Sequence, residues 1–226
     1  MKRKIAVIIC LILLPIAVLL GTLCFGERSY LYLAVSVAVV ACIPFFITFE
    51  KQKNDARRAA LLAVMTAISI VGRFAFAFLP SFKPVAAIVI LCGMYLGAES
   101  GFMCGALTAI VSNFVFAQGA WTPFQMISWG VIGFVAGLLS KLLIKNRFLL
   151  YIYAAVSGVI FSLIMDVWTV LWIGEGFSAM QYLAVVATSL PVTAVYAVSN
   201  VLFMLILSKP IGFSLGRITA KYGVVV

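Results

Sequence analysis

The chain is a succession of long apolar runs with almost no charge inside them, and that decides its class before any motif is read. The runs fall at about 5–25, 29–49, 58–79, 84–98, 101–117, 124–144, 148–173 and 179–208. A bilayer core offers no water to backbone polar groups, so an apolar run of about 20 residues crosses it as a helix. Hydrophobic residues make up 65% of the sequence and mean hydropathy is +1.25, where soluble domains hold about 45–50% apolar residues. The expected fold is all-α, a polytopic membrane protein. The run 84–98 is short for a span, so its helix is expected to be embedded rather than fully crossing.

Charge placement supports eight helices. With the N-terminus inside, Lys2, Arg3, Lys4, Lys51, Lys53, Arg57, Arg58, Lys141, Lys145, Arg147, Lys209, Arg217 and Lys221 collect on the inner side, thirteen of the 16 basic residues. Only Arg28, Arg73 and Lys83 fall in the outer half. The positive-inside rule then places both termini in the cytoplasm of a multi-pass plasma-membrane protein. The same rule accounts for the net charge of +10 as attraction to an anionic leaflet, and no basic run interleaved with aromatics lies outside the spans to suggest nucleic acid. The opening "MKRKIAVIICLILLPIAVLLGTLCFGERS" reads as a retained membrane helix, since its apolar run is longer than a signal-peptide core.

The longest polar break, "EKQKNDARR", divides the chain. The expected organisation is two N-terminal helices in 1–50, a basic cytoplasmic loop at 51–58, a six-helix substrate-binding core at 59–209 and a cytoplasmic tail at 210–226.

Several chemistries drop out. There is no histidine, which removes histidine-based catalytic pairs, zinc-protease motifs and histidine proton relays. The five cysteines lie singly inside apolar runs and form no C-x-x-C, so they read as small packing residues; no metal site or cofactor is expected. No G-x-x-x-x-G-K-[ST] occurs, so the chain is no ATPase, and it is not expected to be an enzyme.

Three constellations remain. Ala59, Ala63 and Ala67 recur every fourth residue, as do Gly93/Gly97, Gly101/Gly105 and Gly133/Gly137. Such small-residue faces let helices approach closely in lipid. The glycines are expected to pack within the chain; the alanine face either packs there or docks a partner. Arg73 and Asp166 are charges within spans at similar estimated depth, and the expectation is a structural ion pair behind a site. The outer segments "GRFAFAFLPSFKP", "NFVFAQGAWTPFQMISWG" and "DVWTVLWIGEGF" combine rings with amides. Asn113, Gln118, Trp121, Thr122, Gln125 and Trp129, with Phe82, Lys83 and Trp172, are the candidate substrate-binding residues. An apolar aromatic wall with a few polar anchors is the usual make-up of a small-molecule site. An interfacial aromatic belt is the competing reading.

From "RRAALLAVMTAIS" to "SKP", about residues 56–209, the chain resembles the substrate-binding S components of energy-coupling factor (ECF) vitamin transporters. The resemblance implies a six-helix membrane protein that captures a vitamin outside. Delivery would need a transmembrane coupling subunit and two ATP-binding-cassette ATPases, with the face Ala59, Ala63, Ala67 docking on the coupling subunit. The block running from "FKPVAAIVILCGMYLGAESG" through "GAWTPFQMISWG" looks closest to S components for cobalamin or related corrinoids. A stand-alone ion-coupled secondary transporter is the alternative.

Overall fold

The structure is a computed structural model that describes residues 42–43, 56–174 and 176–222. The predicted helices at 5–25 and 29–49 lie outside the described residues, apart from a helical Cys42–Ile43. Seven helices follow: α1 (Ala56–Ala75), α2 (Val85–Leu96), α3 (Ala98–Phe116), α4 (Thr122–Leu138), α5 (Ser140–Lys145), α6 (Arg147–Ile173) and α7 (Ala179–Tyr222). The described residues are all-α, as the apolar runs require, and α1, α3, α6 and α7 are long and apolar enough to cross a membrane.

The short run predicted at 84–98 is α2, and it is the centre of the bundle. Every residue of α2 except Tyr95 is buried. A helix apolar all round suits lipid as well as a protein core, so its central place rests on close packing, with Gly93 against the Gly133 carbonyl. Its 12 residues extend only about 18 Å at 1.5 Å per residue, short of a bilayer core. Gly97 (φ +94) links it to α3, a left-handed conformation that glycine adopts without a side-chain penalty.

The glycine pairs pack α2, α3 and α4 against one another. A Cβ added at Gly93 or at Gly101 would run into the Gly133 carbonyl oxygen, and one at Gly137 into the Ala98 backbone. The expectation that these glycines serve packing inside the chain therefore holds. Close backbone approach replaces the hydrophobic drive that lipid cannot supply.

Element ends depart from the expected ones in three places. The helix predicted at 58–79 ends at Ala75, and residues 76–84 form a loop with Ser81 at φ 59. That loop docks deep: Phe82 and Phe76 pack on Phe203, and the Lys83 backbone exchanges hydrogen bonds with the Ser199 hydroxyl. The run 124–144 is two helices with a junction at Leu139. The last helix does not stop near residue 208 but continues through Pro210 to Tyr222, so residues 210–222 of the expected tail extend it. Proline removes one helical hydrogen bond, but Gly212 lies against the Tyr95 phenol and Leu215 is buried, and this packing carries the helix on.

Two ends of the bundle are distinct. Arg58 reaches the Leu96 carbonyl and Ser100 at one end, where α5 and the C-terminal part of α7 also lie. Arg57, Arg58, Lys141, Lys145, Arg147, Lys209, Arg217 and Lys221 belong to this basic end. At the other end Arg73 meets the C-terminus of α3, and that end keeps Arg73 and Lys83 as its basic residues among those described.

Candidate functional site

At the end opposite the basic one, the polar residues of the "NFVFAQGAWTPFQMISWG" stretch meet around Asn113. Asn113 is fully buried in the last turns of α3. Its side-chain nitrogen donates to Thr122 Oγ1 at 2.9 Å and to Gln125 Oε1 at 2.9 Å, both on the first turn of α4. Its oxygen accepts from Arg73 Nη1 at 2.8 Å, and the same Arg73 nitrogen donates to Ser112 Oγ. Thr122 passes its own proton to Gln118 Oε1 at 3.0 Å, while Gln118 Nε2 donates to the Ile110 carbonyl at 2.8 Å. One network thus joins α1, α3, the following loop and α4. Local sequence explains the loop: Pro123 suits the first turn of α4, where no helical N–H is needed. Ala117 ends α3 at φ 77, a conformation disfavoured for any residue with a Cβ.

Aromatic rings surround the network. The Arg73 guanidinium lies 4.6 Å from the Phe116 ring centre and 5.1 Å from that of Trp129. Lys83 Nζ sits 5.3 Å from the Phe116 ring. Two cations therefore flank one ring, and among the described residues neither meets a carboxylate within ion-pair distance. Cations over ring faces are attracted by the quadrupole, worth about 0.5–2 kcal/mol depending on desolvation. Trp129 is itself buried and stacks on Phe161, with centroids 5.3 Å apart and planes at 15°. Trp121, Phe124, Trp168 and Trp172 form a second ring cluster at the lip. Trp172 is 63% exposed and stacks on Trp168.

The predicted site residues are thus gathered in two groups. Asn113 and Trp129 contact Arg73, Thr122, Gln125 and Gln118 join it through Asn113, and Lys83 shares the Phe116 ring with it. Trp121 and Trp172 line the lip, and Phe82 anchors the 76–84 loop beneath. The amides satisfy one another, and the Trp129 ring is engaged by both Phe161 and Arg73.

The expected Arg73–Asp166 ion pair is corrected. Asp166 Oδ2 accepts from Ser189 Oγ at 2.7 Å, between α6 and α7, while Arg73 is committed to Ser112 and Asn113. Depth explains the difference. Arg73 is level with Trp129 and Phe161, and Phe161 lies five residues inward of Asp166 along α6, about 7.5 Å at 1.5 Å per residue. The similar depth expected from the sequence took the helix to run to residue 79, whereas it ends at Ala75 and the loop that follows packs into the bundle, which leaves Arg73 inward of Asp166. Arg73 itself belongs to the network rather than behind it. The signal for this was available: a buried arginine needs several acceptors, and Asn113 offers an amide oxygen in the neighbouring helix.

The alanine face has a different environment from the glycines. Ala59, Ala63 and Ala67 are exposed on α1, beside Val64, Ile68 and Val71, while Leu62, Met65, Thr66 and Ser69 turn inward. Among the described residues nothing covers this stripe.

An all-helical membrane bundle with a closed polar–aromatic cluster at one end and a bare small-residue stripe rising from the other has the organisation of a membrane-embedded transport subunit. Residues 53–213 match the family described as ECF-type riboflavin transporter, S component, and the chain belongs to that family. None of the curated proteins and none of the solved structures compared with the chain matches it. Membership makes the chain a multi-pass substrate-binding subunit of an ECF transporter rather than an enzyme, and it implies a vitamin substrate and association with the ECF module and its ATPases.

Proposed function

We propose that the chain captures a planar, acceptor-rich vitamin of the riboflavin type at the Asn113 network and hands it to an ATP-driven module docked on the alanine face of α1. The observation that carries this reading is the placing of two cations, Arg73 and Lys83, against the Phe116 ring, with Arg73 also over Trp129 and bonded to Asn113, which in turn holds Gln125. Fixed positive charge without a carboxylate beside it favours ligand carbonyls and ring nitrogens, which accept hydrogen bonds. Flat rings favour a flat ligand. The name of the matched family supports riboflavin ahead of the cobalamin or corrinoid first expected from the sequence. The compact network, with Asn113 within 2.9 Å of both Thr122 and Gln125, also suits a smaller ligand than a corrin ring with its many side chains.

The exposure of Ala59, Ala63 and Ala67 supports the docking half of the proposal, because none of the other described helices covers that face. It disfavours the self-sufficient secondary transporter, which has no use for a bare small-residue stripe. The deciding experiment is purification of the full chain without partners, followed by spectroscopy of what copurifies and titration with riboflavin and with cobalamin. The yellow flavin spectrum with saturable riboflavin binding is the expected outcome. A corrinoid spectrum, or binding of cobalamin alone, overturns the substrate assignment and leaves the family unchanged.

A further inference from the structure

At the basic end of the bundle a small cleft of about 60 Å³ opens between α2, α5, α6 and α7. Its polar lining comes from three separate elements: Tyr95 on α2, Arg147 at the start of α6 and Ser208 on α7. The rest of the lining is apolar and includes Leu91, Met94 and Leu150. None of the three polar side chains has a hydrogen bond or ion pair within the described residues. The Tyr95 hydroxyl lies against α7 at Gly212, where an added Cβ would come within 2.8 Å of it. A phenol, a serine hydroxyl and a guanidinium therefore line one small space.

We infer that this cleft binds a phosphate group, presented by an anionic phospholipid at the headgroup level of the membrane leaflet that the basic end faces. One arginine and two hydroxyl donors match the charge and the acceptor-only oxygens of a phosphodiester. The apolar lining suits the glycerol and upper acyl carbons. Exposed Lys141 and Lys145 on α5 add the diffuse attraction that concentrates anionic lipid at a basic face, and basic pockets between helices on that side are a recurring form of lipid recognition. Bound there, the lipid ties α2, α6 and α7 together at the end remote from the substrate network.

The test uses the full chain in a neutral detergent. Thermal unfolding is followed during titration with short-chain phosphatidylglycerol, with diacylglycerol of the same chain length, and with inorganic phosphate. Phosphatidylglycerol is expected to raise the unfolding temperature saturably and diacylglycerol to leave it unchanged. Arg147→Gln should weaken the phosphatidylglycerol effect about tenfold, equivalent to about 1.4 kcal/mol. Tyr95→Phe, which keeps the ring, should weaken it severalfold, and Lys145→Gln, outside the cleft, should leave it near wild type. Inorganic phosphate competing at similar concentration identifies a soluble anion as the source of the phosphate group; no competition identifies the lipid. If Arg147→Gln and Tyr95→Phe both respond to phosphatidylglycerol as the wild type does, or if diacylglycerol acts equally well, the phosphate site is overturned.

Discussion

Asn113 shows what one buried amide does in a bundle that lipid cannot hold together hydrophobically. It uses both hydrogens and its oxygen, and its partners come from α1 and α4. Removing it takes an acceptor from the buried Arg73, and a buried polar group that loses its partner costs about 1–3 kcal/mol, more when charged. Asn113→Ala is therefore expected to lower the unfolding temperature and abolish vitamin binding together. Gln125→Ala separates the two effects, because Gln125 is only part-buried and Asn113 keeps Thr122 and Arg73. It should weaken binding by tenfold or more, about 1.4 kcal/mol, with a small change in thermal stability; titration and thermal unfolding of one preparation check both. Trp129→Ala belongs to the stability class. Trp129 packs between Phe161 and Arg73, and deleting a buried large ring costs about 3–5 kcal/mol. Asp166→Asn keeps an acceptor for Ser189 and should change binding little, since Asp166 touches α7 and not the network.

Among the elements, α1 is divided by face. Its inward side carries Met65, Ser69 and Arg73 against the bundle, while its other side leaves Ala59, Ala63 and Ala67 bare. Ala63→Trp therefore meets no neighbour among the described residues. Uptake by cells that express the ECF module is expected to fall to background, with riboflavin binding by the isolated protein unchanged. Loss of binding in a folded protein would instead mean that the stripe packs within the chain. Gly101→Leu is the opposite case: its side chain would enter the Gly133 backbone, so it should prevent assembly of α2, α3 and α4 and with it any folded yield. Both stripes have the same four-residue spacing, and spacing alone could not distinguish them. What distinguishes them is which side of the helix also carries the polar and bulky residues that must be buried. The fold class, the six described core runs and the gathering of Asn113, Thr122 and Gln125 were legible, because apolar length and an amide-rich break are local signals. The end of α1 at Ala75, the deep seat of the 76–84 loop and the true partner of Arg73 were not, because each is decided by contacts with helices distant in sequence. The passage of α7 through Pro210 likewise rests on Tyr95 and Leu215, which no local rule about proline contains.

At the scale of the molecule, the two ends carry different chemistry, and orientation follows from that difference. Eight of the ten basic residues within the described helices and loops sit at the end where α5 and the last turns of α7 lie, and two, Arg73 and Lys83, at the other. Translocation resists basic loops, so the basic end is predicted to face the cytoplasm and the Asn113 network the outside. This polarity is what an importer of this class requires: capture at one surface, partners at the other. Single-cysteine labelling on a cysteine-free background reads it directly. The reporter positions follow from packing. Gly119 is unsuitable, because a side chain there would collide with the Trp121 ring, whereas Gly176, in the turn between α6 and α7, has nothing within 4 Å of an added Cβ. Lys145 is exposed at the other end. In intact cells a membrane-impermeant maleimide is expected to modify Gly176→Cys and to spare Lys145→Cys until the cells are broken open. The reverse pattern would put the vitamin network in the cytoplasm, where capture from outside is impossible, and would overturn the import direction while leaving the helical fold untouched.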